Sequence, residues 1–161
     1  MPNKIVFKRK IKGFKKKISI PGDKSLSIRW VLISSIANGI SKAKNLLNSD
    51  DVTASIEAIK KLGAKVINKN RICQIHGVGL YGFKYKKGLV INAQNSGTLG
   101  RILSGILIDT PFPIKIIGDK SLSKRDFKRI ADPLSKFGAS FKLHNKCNLP
   151  LIITGSQKLK S

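Results

Sequence analysis

The chain has 161 residues, enough for one domain of ordinary size with a buried core. Thirty-two Lys and Arg face eight acids, and the resulting net charge of +24 favours nucleic acid, an anionic lipid surface or anionic small molecules as partners. Nucleic acid as the main partner is disfavoured: the cations are spread along the chain, only six are arginine, aromatics make up 6%, and no finger, recognition-helix or RNA-stacking pattern occurs.

Cys73 and Cys147 stand alone and His76 and His144 lie far from other ligand types, so neither a disulfide framework nor a metal site is expected. A reduced, cytoplasmic setting fits. The first 17 residues are basic without an apolar core or a small-residue cleavage site. No run of about 18 apolar residues follows, so neither a secretory signal nor a membrane span is expected.

Residues 4–7 and 17–20 read as two short strands around a solvated lysine-rich turn. The next stretch, Ser19-Ile20-Pro21-Gly22-Asp23-Lys24-Ser25-Leu26-Ser27-Ile28-Arg29-Trp30, packs Gly, Lys, Ser and Arg into a strand-to-helix turn ahead of an apolar run. Backbone N–H groups, hydroxyls and two cations can there converge on one anion. With a helix beginning near Ser25, Arg29 shares its face, so both grip one phosphate while Lys24 reaches from the turn.

That helix is expected to stop at Ala37-Asn38-Gly39, with a short strand over 41–46. Ser49-Asp50-Asp51 opens a second helix as cap and dipole partner, striped by Val52, Ile56, Ile59 and Leu62 and closed by Gly63. Strands over 64–67 and 72–76 follow, joined by an Asn68-Lys69-Asn70 turn, and 77–87 reads as loop. The same order then recurs: a strand over 89–92, Gln94-Asn95-Ser96-Gly97-Thr98, a helix over 99–109, and a strand over 113–117. A helix striped by Phe127, Ile130, Ala131, Leu134 and Phe137 and two closing strands over 139–143 and 150–154 complete it. Leu62-Gly63-Ala64 against Phe137-Gly138-Ala139 sets a shift of 75 residues, so the chain holds two β-α-β-α-β-β units of an α/β (α+β) fold. Lys24-Ser25 with Arg29 and Asn95-Ser96-Gly97-Thr98 with Arg101 take the same place in the two copies. Gly97 stands where a Cβ would push a ligand off the backbone. The hexapeptide Gly-Asp-Lys-Ser-Leu-Ser recurs at 22–27 and 118–123, but out of phase with the repeat, so its identity reads as partly coincidental.

Four motifs in order, Gly22-Asp23-Lys24-Ser25-Leu26-Ser27-Ile28-Arg29, Asn45-Leu46-Leu47-Asn48-Ser49-Asp50-Asp51, Asn95-Ser96-Gly97-Thr98 with Arg101, and Gly118-Asp119-Lys120-Ser121-Leu122-Ser123-Lys124-Arg125, resemble the 5-enolpyruvylshikimate-3-phosphate synthase family, the 3-phosphoshikimate 1-carboxyvinyltransferases. The UDP-N-acetylglucosamine enolpyruvyl transferases share the fold but not these signatures. The resemblance implies transfer of enolpyruvyl from phosphoenolpyruvate to the 5-hydroxyl of shikimate 3-phosphate, with phosphate released, on the route to aromatic amino acids. It implies that Lys24 contacts both substrates, that Ser25 and Arg29 hold shikimate 3-phosphate, and that Gly97 and Arg125 bind phosphoenolpyruvate with Asn95 close by. It implies no metal or organic cofactor, no nucleic acid or membrane partner, and usually a monomer.

The family is longer: two domains of three such units each. The resemblance therefore implies that residues 1–20 belong to the other domain, that 21–88 form the first unit and 89–161 the second, and that a third unit and the proton-transfer residues lie outside this chain. No catalytic residue is assigned within it. The apolar stripes at Val52/Ile56/Ile59 and Phe127/Ile130/Leu134 are expected to pack against the third unit, leaving the isolated chain inactive and poorly folded. Gly100 ahead of Arg101 departs from the family, where a larger residue is usual. The remaining alternatives are a non-catalytic anion-binding module and a basic nucleic-acid binder.

Overall fold

Two sheets backed by four helices carry the chain in a computed structural model that describes residues 6, 8, 9, 13, 15, 17–156, 158 and 159. The first sheet is antiparallel, with β1 (Asn38–Lys44), β2 (Lys65–Lys69) and β3 (Ile72–Val78) in the order β1-β3-β2. The second joins β4 (Val90–Asn92), β5 (Ile114–Ile117), β6 (Ser140–His144) and β7 (Asn148–Thr154) in the order β4-β5-β7-β6, with β4 and β5 parallel. Thus β1, β3 and β2 correspond to β5, β7 and β6. The repeat read from the sequence is structural, and glycines 63 and 138 hold the same left-handed turn ahead of each closing hairpin, at φ +99° and +102°.

The helices are α1 (Lys24–Ser35), α2 (Asp50–Lys61), α3 (Gly97–Ile106) and α4 (Lys128–Ser135). Their starts follow from local chemistry. Asp23 caps α1 by accepting from the Leu26 N–H at 2.7 Å, Ser49 accepts from Val52 in α2, and Ser96 accepts from Leu99 in α3. Asp50 and Asp51 add negative charge to the first turn of α2, where the helix dipole favours it. The units join where α1 and α2 pack on α3 and where α2 lies over β4. Ile28, Leu32, Ile59, Leu62, Leu99, Leu103, Ile116 and Phe127 are fully buried, each contributing about 1.5–3 kcal/mol relative to exposure.

Several boundaries differ from expectation. α1 stops at Ser35, and Gly39, instead of ending the helix, lies inside β1 at φ +92° opposite Gly77. The β2–β3 connection is the two-residue pair Asn70-Arg71, at φ 52° and 60°, because β2 runs on to Lys69, further than the hydrophobic pattern shows. α3 begins at Gly97 and ends at Ile106, and α4 is preceded by a separate 3-10 turn, Leu122–Lys124. Residues 17–20 join neither sheet; Ile18 and Ile20 are 76% and 70% exposed. Their contact with β1 is confined to its end, where the Asn45 amide donates to the Ile20 carbonyl at 3.2 Å. The strand expected over 4–7 falls largely outside the described residues.

The stripes are also better covered than expected. Val52 and Ile59 are buried and Phe127 is buried beneath α3, so the uncovered remainder is half-buried Ile56, Ile130 and Leu134 and exposed Phe137. Among the described residues no helix is long and apolar enough to cross a membrane.

Candidate functional site

The start of α2 and the residues ahead of α3 line a cleft of about 400 Å3 at one end of these helices, formed by Asp50, Asp51, Asn92, Gln94, Asn95, Gly118 and Asp119, and the start of α1 comes to it through Lys24. The orphan backbone N–H groups of helix starts and their dipoles favour anions at such an end. Lys24 reaches its wall by pairing with Asp51, Nζ to Oδ2 at 3.2 Å. Ser25, half-buried, and Arg29, exposed, follow on the same face of α1, one turn apart. Ser27 is structural: its hydroxyl donates to the Asp23 carbonyl at 2.7 Å and accepts from the Leu47 N–H at 3.0 Å, fastening the β1–α2 connection to the start of α1.

On the opposite wall three elements meet. Asn95, just ahead of α3, accepts from Arg125 Nη2 through Oδ1 at 2.9 Å and donates through Nδ2 to Asp119 Oδ2 at 2.7 Å. Asp119 Oδ1 accepts from the Leu122 N–H at 2.6 Å and so caps the 3-10 turn that delivers Arg125. Asn148 Nδ2 donates to the Arg125 carbonyl at 3.2 Å, fixing the backbone behind the guanidinium.

Gly97 explains why this wall must be bare of side chain. A Cβ built there would lie 3.0 Å from Arg101 Nη1 and 3.0 Å from Arg125 Nη1, so both guanidiniums close over the first residue of α3. By the triangle inequality these two nitrogens are no more than 6.0 Å apart (3.0 + 3.0). Among the described residues neither guanidinium is paired with a carboxylate. Arg125 is held by the Asn95 amide; Arg101 donates to the Asp126 carbonyl at 3.3 Å and lies 5.3 Å over the Phe127 ring. Arg101 Nε is buried without a partner. Two unneutralised cations side by side at a helix N-terminus are a site poised for a multiply charged anion.

Gly100, read above as a departure, has its own reason: a Cβ there would meet Phe127 Cε1 at 3.1 Å and Cζ at 3.2 Å. The glycine admits the ring that carries Arg101. Among the described residues no group of three or more His, Cys, Asp or Glu could hold a metal ion.

Of the six residues singled out from the sequence, Asn95, Gly97 and Arg125 come together; Lys24, Ser25 and Arg29 stand apart from them on α1, with Lys24 paired to Asp51 of the cleft wall. Sequence reasoning passed over three others. Asp51 counted only as a dipole partner, yet it holds Lys24. Asp119 sat in a hexapeptide discounted as coincidence, although that peptide folds alike in both places: the Asp accepts from the residue three ahead at 2.7 and 2.6 Å, and the second Ser donates its N–H to the Asp carbonyl at 3.0 and 2.9 Å. Arg101 was noted for its match to Arg29 and given no role.

Comparison with known proteins identifies the family. Residues 8–161 match the family model of EPSP synthase (3-phosphoshikimate 1-carboxyvinyltransferase). The 3-phosphoshikimate 1-carboxyvinyltransferases of Lactococcus lactis subsp. lactis and a Sulfurihydrogenibium species are 39% and 38% identical over 150 residues, covering 92% of this chain and 35% of each relative. The solved EPSP synthase of Acinetobacter baumannii superposes with a TM-score of 0.84 at 39% identity, over 91% of this chain and 33% of that one. The chain thus spans about a third of the length of the relatives it matches. With its repeat, its paired guanidiniums and this likeness across nearly all its residues, the chain belongs to the EPSP synthase family.

Proposed function

We propose that this chain supplies the anion-binding half-site of an enolpyruvyl transfer from phosphoenolpyruvate to the 5-hydroxyl of shikimate 3-phosphate, with phosphate as the other product. The carrying observation is the pair of guanidiniums closing over Gly97, neither paired with a carboxylate among the described residues. Both substrates are multiply anionic, and a phosphate or carboxylate is best held by forked Arg donors, Lys and aligned N–H groups. In this reading Arg125 and the Gly97 backbone hold phosphoenolpyruvate, with Asn95 beside them. Ser25 and Arg29 hold the phosphate of shikimate 3-phosphate, and Lys24 exchanges Asp51 for both substrates.

The reaction protonates the methylene carbon of the enol phosphate while the hydroxyl adds to the neighbouring carbon and loses its proton, giving a tetrahedral intermediate; departure of phosphate and of one methyl proton then restores the double bond as an enol ether. The clamps orient the reactants and stabilise developing charge on the leaving phosphate. Proton transfer is assigned to residues beyond these 161, in keeping with relatives about three times as long, and no cofactor is required. Residues 1–20 are assigned to a second domain, 21–88 to the first unit and 89–161 to the second; the exposed, unpaired 17–20 segment supports the first of these boundaries.

The test is calorimetric titration of the chain with each substrate, together with a phosphate-release assay. Binding of both without turnover is expected, and Arg29→Lys should weaken shikimate 3-phosphate by about 1–3 kcal/mol while sparing phosphoenolpyruvate. Absence of binding by either substrate would defeat the proposal.

A further inference from the structure

We propose that Asp119 is a positioning residue for Arg125, acting through the Asn95 amide without touching the guanidinium itself. The inference rests on the reading of Arg125 as a phosphoenolpyruvate-binding residue for its consequence, though not for its geometry. An asparagine side chain offers one acceptor end and one donor end, and whichever faces Arg125 decides whether it is held or repelled. Asp119 settles the choice. Its carboxylate is acceptor-only, so the Asn95 NH2 must turn to Oδ2, at 2.7 Å, which leaves the Asn95 oxygen for Arg125 Nη2 at 2.9 Å. The other oxygen, Oδ1, takes the Leu122 N–H at 2.6 Å, and the Asp119 N–H donates to the Gln94 carbonyl at 2.8 Å. One carboxylate thereby ties the residues ahead of α3 to the turn that ends at Arg125.

The indirect arrangement also preserves charge. Lys24, paired directly with Asp51, must surrender its partner to an incoming anion. Arg125 is held by a neutral acceptor and keeps its full attraction for a ligand, with the compensating carboxylate one hydrogen bond removed. Chemical logic therefore assigns Asp119 to orientation and Asn95 to contact.

The test is a double-mutant cycle on the 161-residue chain with two readouts: the Kd for phosphoenolpyruvate and the NMR signal of the Arg125 Nε–H group, assigned by its loss in Arg125→Lys. Asp119→Asn keeps the size but has a single acceptor oxygen. With that oxygen on Leu122, its NH2 meets the Asn95 NH2 and drives the Asn95 amide over, turning donors towards Arg125. Asp119→Ser keeps an oxygen for the Leu122 N–H and is too short to reach Asn95. The expected order is roughly tenfold weaker binding for Asp119→Asn, a smaller loss for Asp119→Ser, and a displaced Arg125 signal in both, with neither change adding to Asn95→Ala. A purely structural role for Asp119 predicts the reverse order, since serine is the larger departure in size. Wild-type affinity with an unmoved Arg125 signal in Asp119→Asn overturns the proposal, as does an effect that persists undiminished in the Asn95→Ala background. If the parent chain does not bind phosphoenolpyruvate, the reading of function fails, while the Arg125 signal across the same cycle still decides the positioning role. Should Asp119→Asn fail to fold, Asp119→Ser carries the same decision.

Discussion

The two repeats share a strand order and a hairpin turn, yet they finish their sites differently. In the second, β4 completes the sheet and buries Ile91; in the first, the corresponding residues 17–20 stay out of the sheet with Ile18 and Ile20 exposed. The β5–α4 connection is long enough to fold a 3-10 turn and to insert Leu122 and Phe127, both fully buried, beneath Gly97, Gly100 and Gly118. The β1–α2 connection is shorter and leaves an open cleft of about 480 Å3 whose lining includes Leu46, Val52, Ile56, Arg71 and Cys73. Cations follow the same division. Lys24 is pinned to a carboxylate and Arg29 has no hydrogen-bond or ion-pair partner among the described residues, whereas Arg101 and Arg125 are held by an aromatic face, a carbonyl and an amide. A repeated scaffold thus holds its cations loosely in one copy and firmly in the other, and much of the difference is made in one connecting loop.

The largest expected effect strikes that loop. Phe127→Ala removes the ring that fills the space beside Gly100 and supports Arg101, and should cost about 3–5 kcal/mol in chemical denaturation. A loss under 1 kcal/mol would mean that the second repeat is not built on this plug. Next comes Gly97→Ala. Its methyl meets the ends of two flexible side chains and not backbone, so the fold should survive while both guanidiniums are displaced. Calorimetry should show phosphoenolpyruvate weakened by about ten- to a hundredfold and shikimate 3-phosphate by much less; equal losses would place both ligands on the same side. Asp51→Asn probes the first repeat. Lys24 is 54% exposed, so losing the pair should change stability by under about 1 kcal/mol. Freed Lys24 should raise anion affinity a few-fold at low salt, and an affinity that falls instead would make Asp51 part of the ligand site.

The periodicity and the caps made most of this fold legible. Apolar residues at helical spacing located α2, and Ser49 with two acids marked its start, because these signals are local and act through neighbours in sequence. Gly63 and Gly138 exposed the repeat for the same reason. What stayed hidden depends on distant residues. Nothing around Asp119 announces Asn95, 24 residues away, and nothing around Gly100 announces the Phe127 ring that requires it. Ile18 and Ile20 alternate as a strand should, but a strand exists only with a partner edge, and β1 offers them contact only at its end. Arg101 and Arg125 were visible as cations; their convergence on one glycine was a property of packing.

The smallest effect separates the repeats by pH. Cys73 is buried on β3 opposite Asn68, where the second repeat has the apolar Leu151 on β7 opposite Leu143. Burial raises the Cys73 thiol above its ordinary value of 9.0, and the Lys60 charge only partly offsets this. The folded chain therefore keeps the thiol proton at a pH where the unfolded chain has lost it. Stability from this group is full below the unfolded value near 9 and is lost as pH rises from there towards the raised folded value. Comparing the chain with Cys73→Ala cancels every other titration the two share. The alanine costs a constant amount for its cavity, so the parent's advantage in urea melts should be level from pH 6 to 8 and shrink by up to about 1 kcal/mol by roughly pH 9.5. An advantage that stays level through that range would mean that the thiol ionises as readily in the folded chain as in the unfolded one, and that the inner face of β3 is open to water in solution.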